Sequence, residues 1–275
     1  MQFSQGTLKT ADGLALRTVA WTPAASAKAA IVIAHGLAEH IGRYEHVAQF
    51  FVDTHGYAVY GIDHRGHGQS QGLRTYFDSF DQPVSDFKRY VDTLKPQHSK
   101  LFLYGHSMGS LIALLYVLKY PQDFAALVST GTPLDADTTV AAPVIALATL
   151  LDKIIPKVNF LPLDSSALSH DAAVVAAYDA DPLVDRKPTR IHMGMGIMHG
   201  AQEVKRRLAE ITLPLLILHG GADKICPPSG SRVLHNGAGA ADKTLHIYDG
   251  LYHEIHNEKE RGEVLARIAA WLAAR

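Results

Sequence analysis

The sequence predicts an α/β fold: a mostly parallel, doubly wound sheet interrupted by one inserted helical cap. Short, continuously apolar runs alternate with segments of helical period, as expected where helices cover both faces of a parallel sheet. The alternation then breaks once, for about 80 residues, between Gly131 and the next strand-like run, although a crossover needs only ~10–12. The pattern resumes afterwards, so the surplus reads as an insertion, giving a core of 1–131 and 207–275 and a cap of 132–206.

Residues 6–21 read as a hairpin turning at Ala11, Asp12 and Gly13. Four buried runs follow, at 30–34 (AIVIA), 57–62 (YAVYGI), 101–104 (LFLY) and 125–129 (ALVS). Between the second and third of these, Val84, Phe87, Val91 and Leu94 are spaced 3, 4 and 3 apart, which lays one apolar stripe against the sheet. The insertion is rich in Ala, Leu, Val and Pro and carries Met193, Met195 and Met198, adaptable side chains suited to lining an apolar pocket. Strands at 215–219 (LLILH) and 243–248 (KTLHIY) and an amphipathic helix over 257–274 close the core.

Composition bounds the function. At 275 residues a folded chain buries roughly 73% of its extended surface, enough for one sizeable core. With 26 basic and 27 acidic residues the net charge is -1, which excludes a basic nucleic-acid footprint as the main business. The single Cys226 forms no internal disulfide. The N-terminal residues lack the basic and apolar regions of a signal peptide, and the longest greasy stretch, 140–151, is too short to span a bilayer. A soluble, cytoplasmic chain is expected, with its 47% hydrophobic residues left to be placed.

The chemistry lies at Gly105-His106-Ser107-Met108-Gly109, a G-x-S-x-G pattern that follows the strand LFLY and leads into the apolar helix SLIALLYVLKY. Chance supplies such a pattern in about one chain of this length in ten, and Gly68-Gln69-Ser70-Gln71-Gly72 is a second match. Ser70 follows a polar loop and no helix succeeds it, so it reads as a loop serine. At a strand-turn-helix elbow, by contrast, glycines admit a tight turn, the serine stands above the sheet edge, and the helix N-terminus favours developing negative charge.

A serine hydroxyl needs a base and an orienting acid, expected in the order Ser, acid, His at later strand ends. Asp223 stands just beyond LPLLILHGGAD and His253 just beyond the last strand. Asp249 is too close to the His loop, His246 lies within a strand, and His256 falls at the start of the final helix. Oxyanion donors are expected at the amides of Met108 and Leu37, the latter in the loop after AIVIA, where Gly36 allows close approach. The 16 histidines, including His35, His40, His64 and His67, come without H-E-x-x-H, a cysteine cluster or a matched carboxylate set, so no metal site or cofactor is expected. Cys226 reads as a small buried hydrophobe.

The stretches HGLAEHIGRY, YGIDHRGHGQSQG, LYGHSMGS, YDADPLV, LHGGADKICPP and KTLHIYDGLYHEIHNE resemble the monoacylglycerol lipases and their lysophospholipase relatives among the serine α/β-hydrolases, over nearly the whole chain. The resemblance implies the same Ser107, Asp223 and His253 as nucleophile and partners and Leu37 and Met108 as oxyanion donors. It adds Glu39, Arg43, Tyr178 and His256 near the alcohol end of the pocket. For Glu39 and Arg43 a structural ion pair beneath the site is an equal alternative. A histidine at position 256, commonly missing in lysophospholipases, favours glycerol esters. Cap residues up to about 169 match nothing, which leaves acyl-length preference open.

The expected function is hydrolysis of monoacylglycerol to fatty acid and glycerol through an acyl-serine. The alternatives are a lysophospholipase or broad carboxylesterase and, from another class, a non-catalytic binding protein, for which a lost triad member would be the sign. The partner expected is a lipid ester, met by transient contact of the cap with a membrane or micelle, with no nucleic acid.

Overall fold

The computed structural model describes residues 1–135, 138 and 140–275. The N-terminal hairpin forms as β1 (Gln2–Lys9) and β2 (Ala15–Thr22), paired antiparallel around the turn at 10–14. Next come β3 (Ala30–Ala34), a short α1 (Glu45–Gln49), β4 (Ala58–Ile62), α2 (Asp81–Leu94), β5 (Leu101–His106), α3 (Met108–Lys119) and β6 (Ala126–Thr130). The segment before the next core strand holds α4 (Ala142–Asp152), β7 (Asn159–Leu161), α5 (Ala172–Ala180), β8 (Thr189–Arg190) and α6 (Ile191–Arg206). The chain closes with β9 (Leu215–Gly220), α7 (Pro228–Gly237), β10 (Lys243–Tyr248) and α8 (Arg261–Ala273).

Eight strands make one sheet in the order β1-β2-β4-β3-β5-β6-β9-β10. β2 meets β4 antiparallel, and every pair from β4 to β10 is parallel. The period-2 alternation of a strand sends successive side chains to opposite faces. Ala30, Val32 and Ala34 therefore join the core under α2, α3 and α7, while Ile31 and Ile33 join the one under α1 and α8. All five β3 residues are buried, which is why these strands read as continuous apolar runs.

The last helix differs from the sequence expectation. It begins at Arg261, and residues 255–257 form a separate 3-10 turn. Glu258 interrupts the helix because its buried carboxylate accepts from the amides of Tyr252 and His170 at 2.8 and 2.9 Å and from the Ser169 hydroxyl at 3.0 Å. Those bonds hold its backbone extended.

α4 is apolar all round, and none of its residues is buried. One side, with Val144, Ile145 and Ala148, faces the cavity described below. Leu147 and Leu150 on the other are 50% and 57% exposed, and Ile154 just beyond is 68% exposed. No helix of the described residues is long and apolar enough to cross a membrane.

Candidate active site

Each residue singled out at a strand end sits at the carboxyl edge of the parallel strands, where open α/β sheets place their ligands. Ser107 links β5 directly to α3 with φ 53° and ψ −121°, a conformation that side-chain-bearing residues rarely adopt. The turn closes this tightly because its flanking residues lack side chains. A Cβ on Gly109 would lie 2.0 Å from the Ala34 carbonyl oxygen, and one on Gly105 would lie 2.7 Å from that of Gly109. Met108 begins a twelve-residue helix, so its amide is one of the unpaired donors at a helix N-terminus.

The loop after β3 presses against this elbow. A Cβ on Gly36 would lie 3.4 Å from Ser107 Cβ and 2.8 Å from Glu39 Oε1. Leu37, Met108 and Ser107 all border one cavity. Ala38, next along, has φ 63°, and its carbonyl accepts from the Asp185 amide at 2.9 Å.

Asp223 and His253 are brought together, with His253 Nδ1 2.7 Å from Asp223 Oδ2. The other carboxylate oxygen accepts from the amides of Ile225 and Cys226 at 2.8 and 2.9 Å. Burial alone would raise the Asp223 carboxyl. The facing His253 and the hydrogen bonds from His219 and His253 outweigh it and hold the group well below the usual carboxylate range. Burial likewise works against charge on His253, yet the Asp223 carboxylate opposite keeps its pKa above the ordinary 6.5. A base stabilised by its own acid, beside a strained serine, is the electrostatic arrangement nucleophilic acyl transfer needs.

Glu39, Arg43 and Glu254 form a buried ionic cluster. Arg43 donates through Nη1 to Glu39 at 2.6 Å and through Nη1 and Nη2 to both oxygens of Glu254 at 2.6 and 2.7 Å. Glu39 Oε1 also accepts from the Gly36 amide at 2.6 Å and from Tyr44 at 2.8 Å. The cluster thus ties the loop carrying Leu37 to the loop carrying His253. Glu39, Glu254 and Tyr178 border the cavity, whereas Arg43 and His256 do not. The Arg43 guanidinium stacks on Tyr178, 4.8 Å from the ring centroid. His256 lies behind the site, fully buried, stacked on Tyr44 at 4.9 Å and edge-on to His106 at 4.7 Å. Neither ring nitrogen of His256 has a hydrogen-bond partner, and nor does the buried Tyr178 hydroxyl.

The cavity holds about 430 Å³. Its polar end carries His106, Glu39, Glu254 and His253, while Val144, Ile145, Phe160, Met195 and Met198 from the inserted segment form an apolar wall. Of the three clustered methionines only Met193 faces the main core instead. Cys226 is buried and borders the same cavity as Ser107, and burial, followed by the Asp223 charge, pushes its thiol well above the usual value, away from thiolate reactivity.

The other sequence candidates, Ser70 and the clustered histidines, are buried. Ser70 is buried in its loop, donating to the Asp63 carbonyl at 2.5 Å and accepting from the Arg17 amide at 2.9 Å. His35 packs at a tilt against His64 and His67, with ring centroids 4.3 and 5.4 Å away. His35 bonds to the Gly36 carbonyl and the His64 amide and His67 Nδ1 to the Arg65 carbonyl, while both ring nitrogens of His64 and Nε2 of His67 are buried without a partner. Among the described residues, ligand-type atoms converge only at Glu39, His106 and Glu254, where Arg43 already supplies the cation. Sequence reasoning missed Glu254 and His219. Glu254 could have been found as a second acid beside the catalytic-type histidine, and His219 as the single polar residue ending the apolar run LLILH.

Residues 25–260 match the family described as serine aminopeptidase, S33, and with this sheet the chain is a serine hydrolase of the α/β-hydrolase class. A monoacylglycerol lipase of Mycolicibacterium smegmatis is 38% identical over 92% of this chain and 91% of its own length. The human monoglyceride lipase is 36% identical over 98% of this chain and 90% of its own. The crystal structure of the Paleococcus ferrophilus monoacylglycerol lipase superposes with a TM-score of 0.83 at 29% identity, covering 100% of this chain and 99% of that one. The chain belongs to the monoacylglycerol lipase family.

Proposed function

We propose that this chain hydrolyses monoacylglycerols to fatty acid and glycerol, with Ser107 as nucleophile, His253 as general base and acid, and Asp223 as its orienting partner. The observation that carries the reading is the strained serine at the end of β5, opening on one cavity with the His253–Asp223 pair. Ser107 Oγ attacks the ester carbonyl while His253 Nε2 takes its proton. The Leu37 and Met108 amides hold the tetrahedral oxyanion. Collapse breaks the bond to the glycerol oxygen, which takes the proton from His253 and leaves an acyl-Ser107. Water enters by the same route, and fatty acid leaves.

Residues 132–206 act as a cap whose inner wall holds the acyl chain, which accounts for much of the apolar sequence. The alcohol end is read from Glu39, Glu254 and the unpartnered Tyr178 hydroxyl. Glu39 and Glu254 border the cavity while Arg43, which pairs with both, does not. That arrangement suits neutral hydroxyls and opposes a phosphate-bearing leaving group, since like charges in a desolvated site cost several kcal/mol. That favours glycerol esters over lysophospholipids. The exposed outer side of α4 makes reversible, peripheral contact with lipid.

Rates on monoacylglycerol, triacylglycerol and lysophospholipid, measured side by side, test the substrate. Monoacylglycerol should be fastest, and faster turnover of lysophospholipid overturns the assignment. Ser107→Ala should lower kcat by about 10⁴-fold or more and abolish fluorophosphonate labelling; retained labelling refutes the role of Ser107.

A further inference from the structure

His219 is the penultimate residue of β9, four residues before Asp223, and its side chain is fully buried. Its Nε2 lies 3.0 Å from Asp223 Oδ2 and 2.9 Å from the Cys226 carbonyl oxygen. Both neighbours are acceptors, so Nε2 carries a proton and donates to them. Its Nδ1 lies 2.6 Å from the Ser231 hydroxyl in α7. With Nε2 protonated, the neutral ring takes the Ser231 hydrogen at Nδ1, and that bond selects the tautomer.

The consequence falls on Asp223. Its Oδ1 accepts two backbone amides and its Oδ2 two imidazoles. A carboxylate has about four lone-pair sites, so all are filled and the group has no freedom to rotate away from His253. We propose that His219, oriented by Ser231, is a positioning residue that holds the Asp223 carboxylate in the plane and at the distance His253 requires. The inference rests on the assignment of Ser107, Asp223 and His253 given above. It also explains a histidine at the end of an otherwise apolar strand, where a buried polar ring without partners would be costly.

The groups facing this unit are Asp223, His253, Cys226 and Ser231; on the far side of His253 lie His106, 4.8 Å away ring to ring, and the carboxylates of Glu254 and Glu39, and none of these is altered by the variants. His219→Leu removes one donor from Oδ2. The carboxylate becomes a stronger base towards His253, and its orientation loosens. The expected result is a fall in kcat of tenfold or more with KM changed less than twofold, together with an acid limb of kcat/KM displaced to higher pH. His219→Gln returns an N–H near the position of Nε2 and should recover most of kcat and restore the limb. Ser231→Ala, which keeps the ring but frees its tautomer, should give an intermediate loss. If His219→Leu and Ser231→Ala keep wild-type kcat and the wild-type acid limb while Ser107→Ala is inactive, the positioning role is overturned and the triad stands. If Ser107→Ala remains active, the triad reading itself fails. Should His219→Leu not fold, the Gln and Ala variants decide alone: a Ser231→Ala enzyme with an unmoved limb and full kcat overturns the proposal.

Discussion

Replacing Arg43 by Met separates the two roles open to the ionic cluster. The substitution keeps most of the side-chain volume and leaves Glu39 and Glu254, both buried at 2% exposure, without their shared cation. Removing one partner of a buried ion pair destabilises by about 3–5 kcal/mol. Unfolding entropy near the midpoint is about 2.1 cal/mol/K per residue, or about 0.6 kcal/mol/K for 275 residues, so Tm should fall by about 5–9 °C. Catalysis should suffer through geometry. Glu39 holds the Gly36 amide beside the Leu37 donor, and Glu254 follows His253 directly. Misplacement of a site by about 1 Å can reduce rate ~100-fold, so kcat should fall between about ten- and a hundredfold. KM should change little, because Arg43 does not border the cavity. Calorimetry and initial rates on a monoacylglycerol give both numbers. A raised KM with unchanged kcat would refute this reasoning and show Arg43 contacting substrate. An unchanged Tm would refute the energetic part.

Three further outcomes are expected. His253 must be neutral to act as base and its pKa is held above 6.5 by Asp223, so kcat/KM should fall as pH drops through a value above 6.5; a profile flat from pH 5 to 8 excludes that role. Burial lowers His35 to about 4, His67 to about 3 and His64 well below 6.5. The unfolded chain therefore binds their protons first, and the stability these rings contribute is complete above about pH 6.5 and lost as pH falls towards the folded values. At about 1.36 kcal/mol per pH unit each such ring accounts for about 2 kcal/mol at pH 5, so the urea midpoint should drop steeply from pH 7.5 to 5, and a constant midpoint contradicts it. Leu147→Asp with Leu150→Asp should cut co-sedimentation with liposomes at least severalfold while leaving turnover of a water-soluble short-chain ester within about twofold; undiminished binding rules out α4 as the contact.

Much of this was legible in the chain because its signals are local. The runs 30–34 and 243–248 become β3 and β10 with the predicted bounds; continuous apolarity marks the fully buried β3, whereas the half-buried edge strand β10 is marked by alternating Leu245, Ile247 and polar neighbours. Ser107 was separable from Ser70 by what flanks each, and the structure gives them correspondingly different surroundings, a bare elbow and a doubly hydrogen-bonded loop. What could not be read depends on contacts distant along the chain. Glu254 meets Arg43 across 211 positions, and Glu258 delays the start of the last helix through bonds to residues 89 and 88 positions away. His256 carries the right residue type at the right offset from His253, yet its ring turns inward onto Tyr44. Spacing encodes order along the chain but not which way a side chain faces.

The positive φ of Ser107 also bears on selection. A non-glycine residue in such a region costs about 1–3 kcal/mol, a visible fraction of the ~5–15 kcal/mol that hold a typical protein folded. Glycine would relieve it, so Ser107→Gly should yield a chain that unfolds at higher temperature and catalyses nothing. Drift towards stability alone would therefore erase this serine. A lineage that retains it keeps a slightly weaker fold in exchange for a hydroxyl held where a carbonyl can meet it.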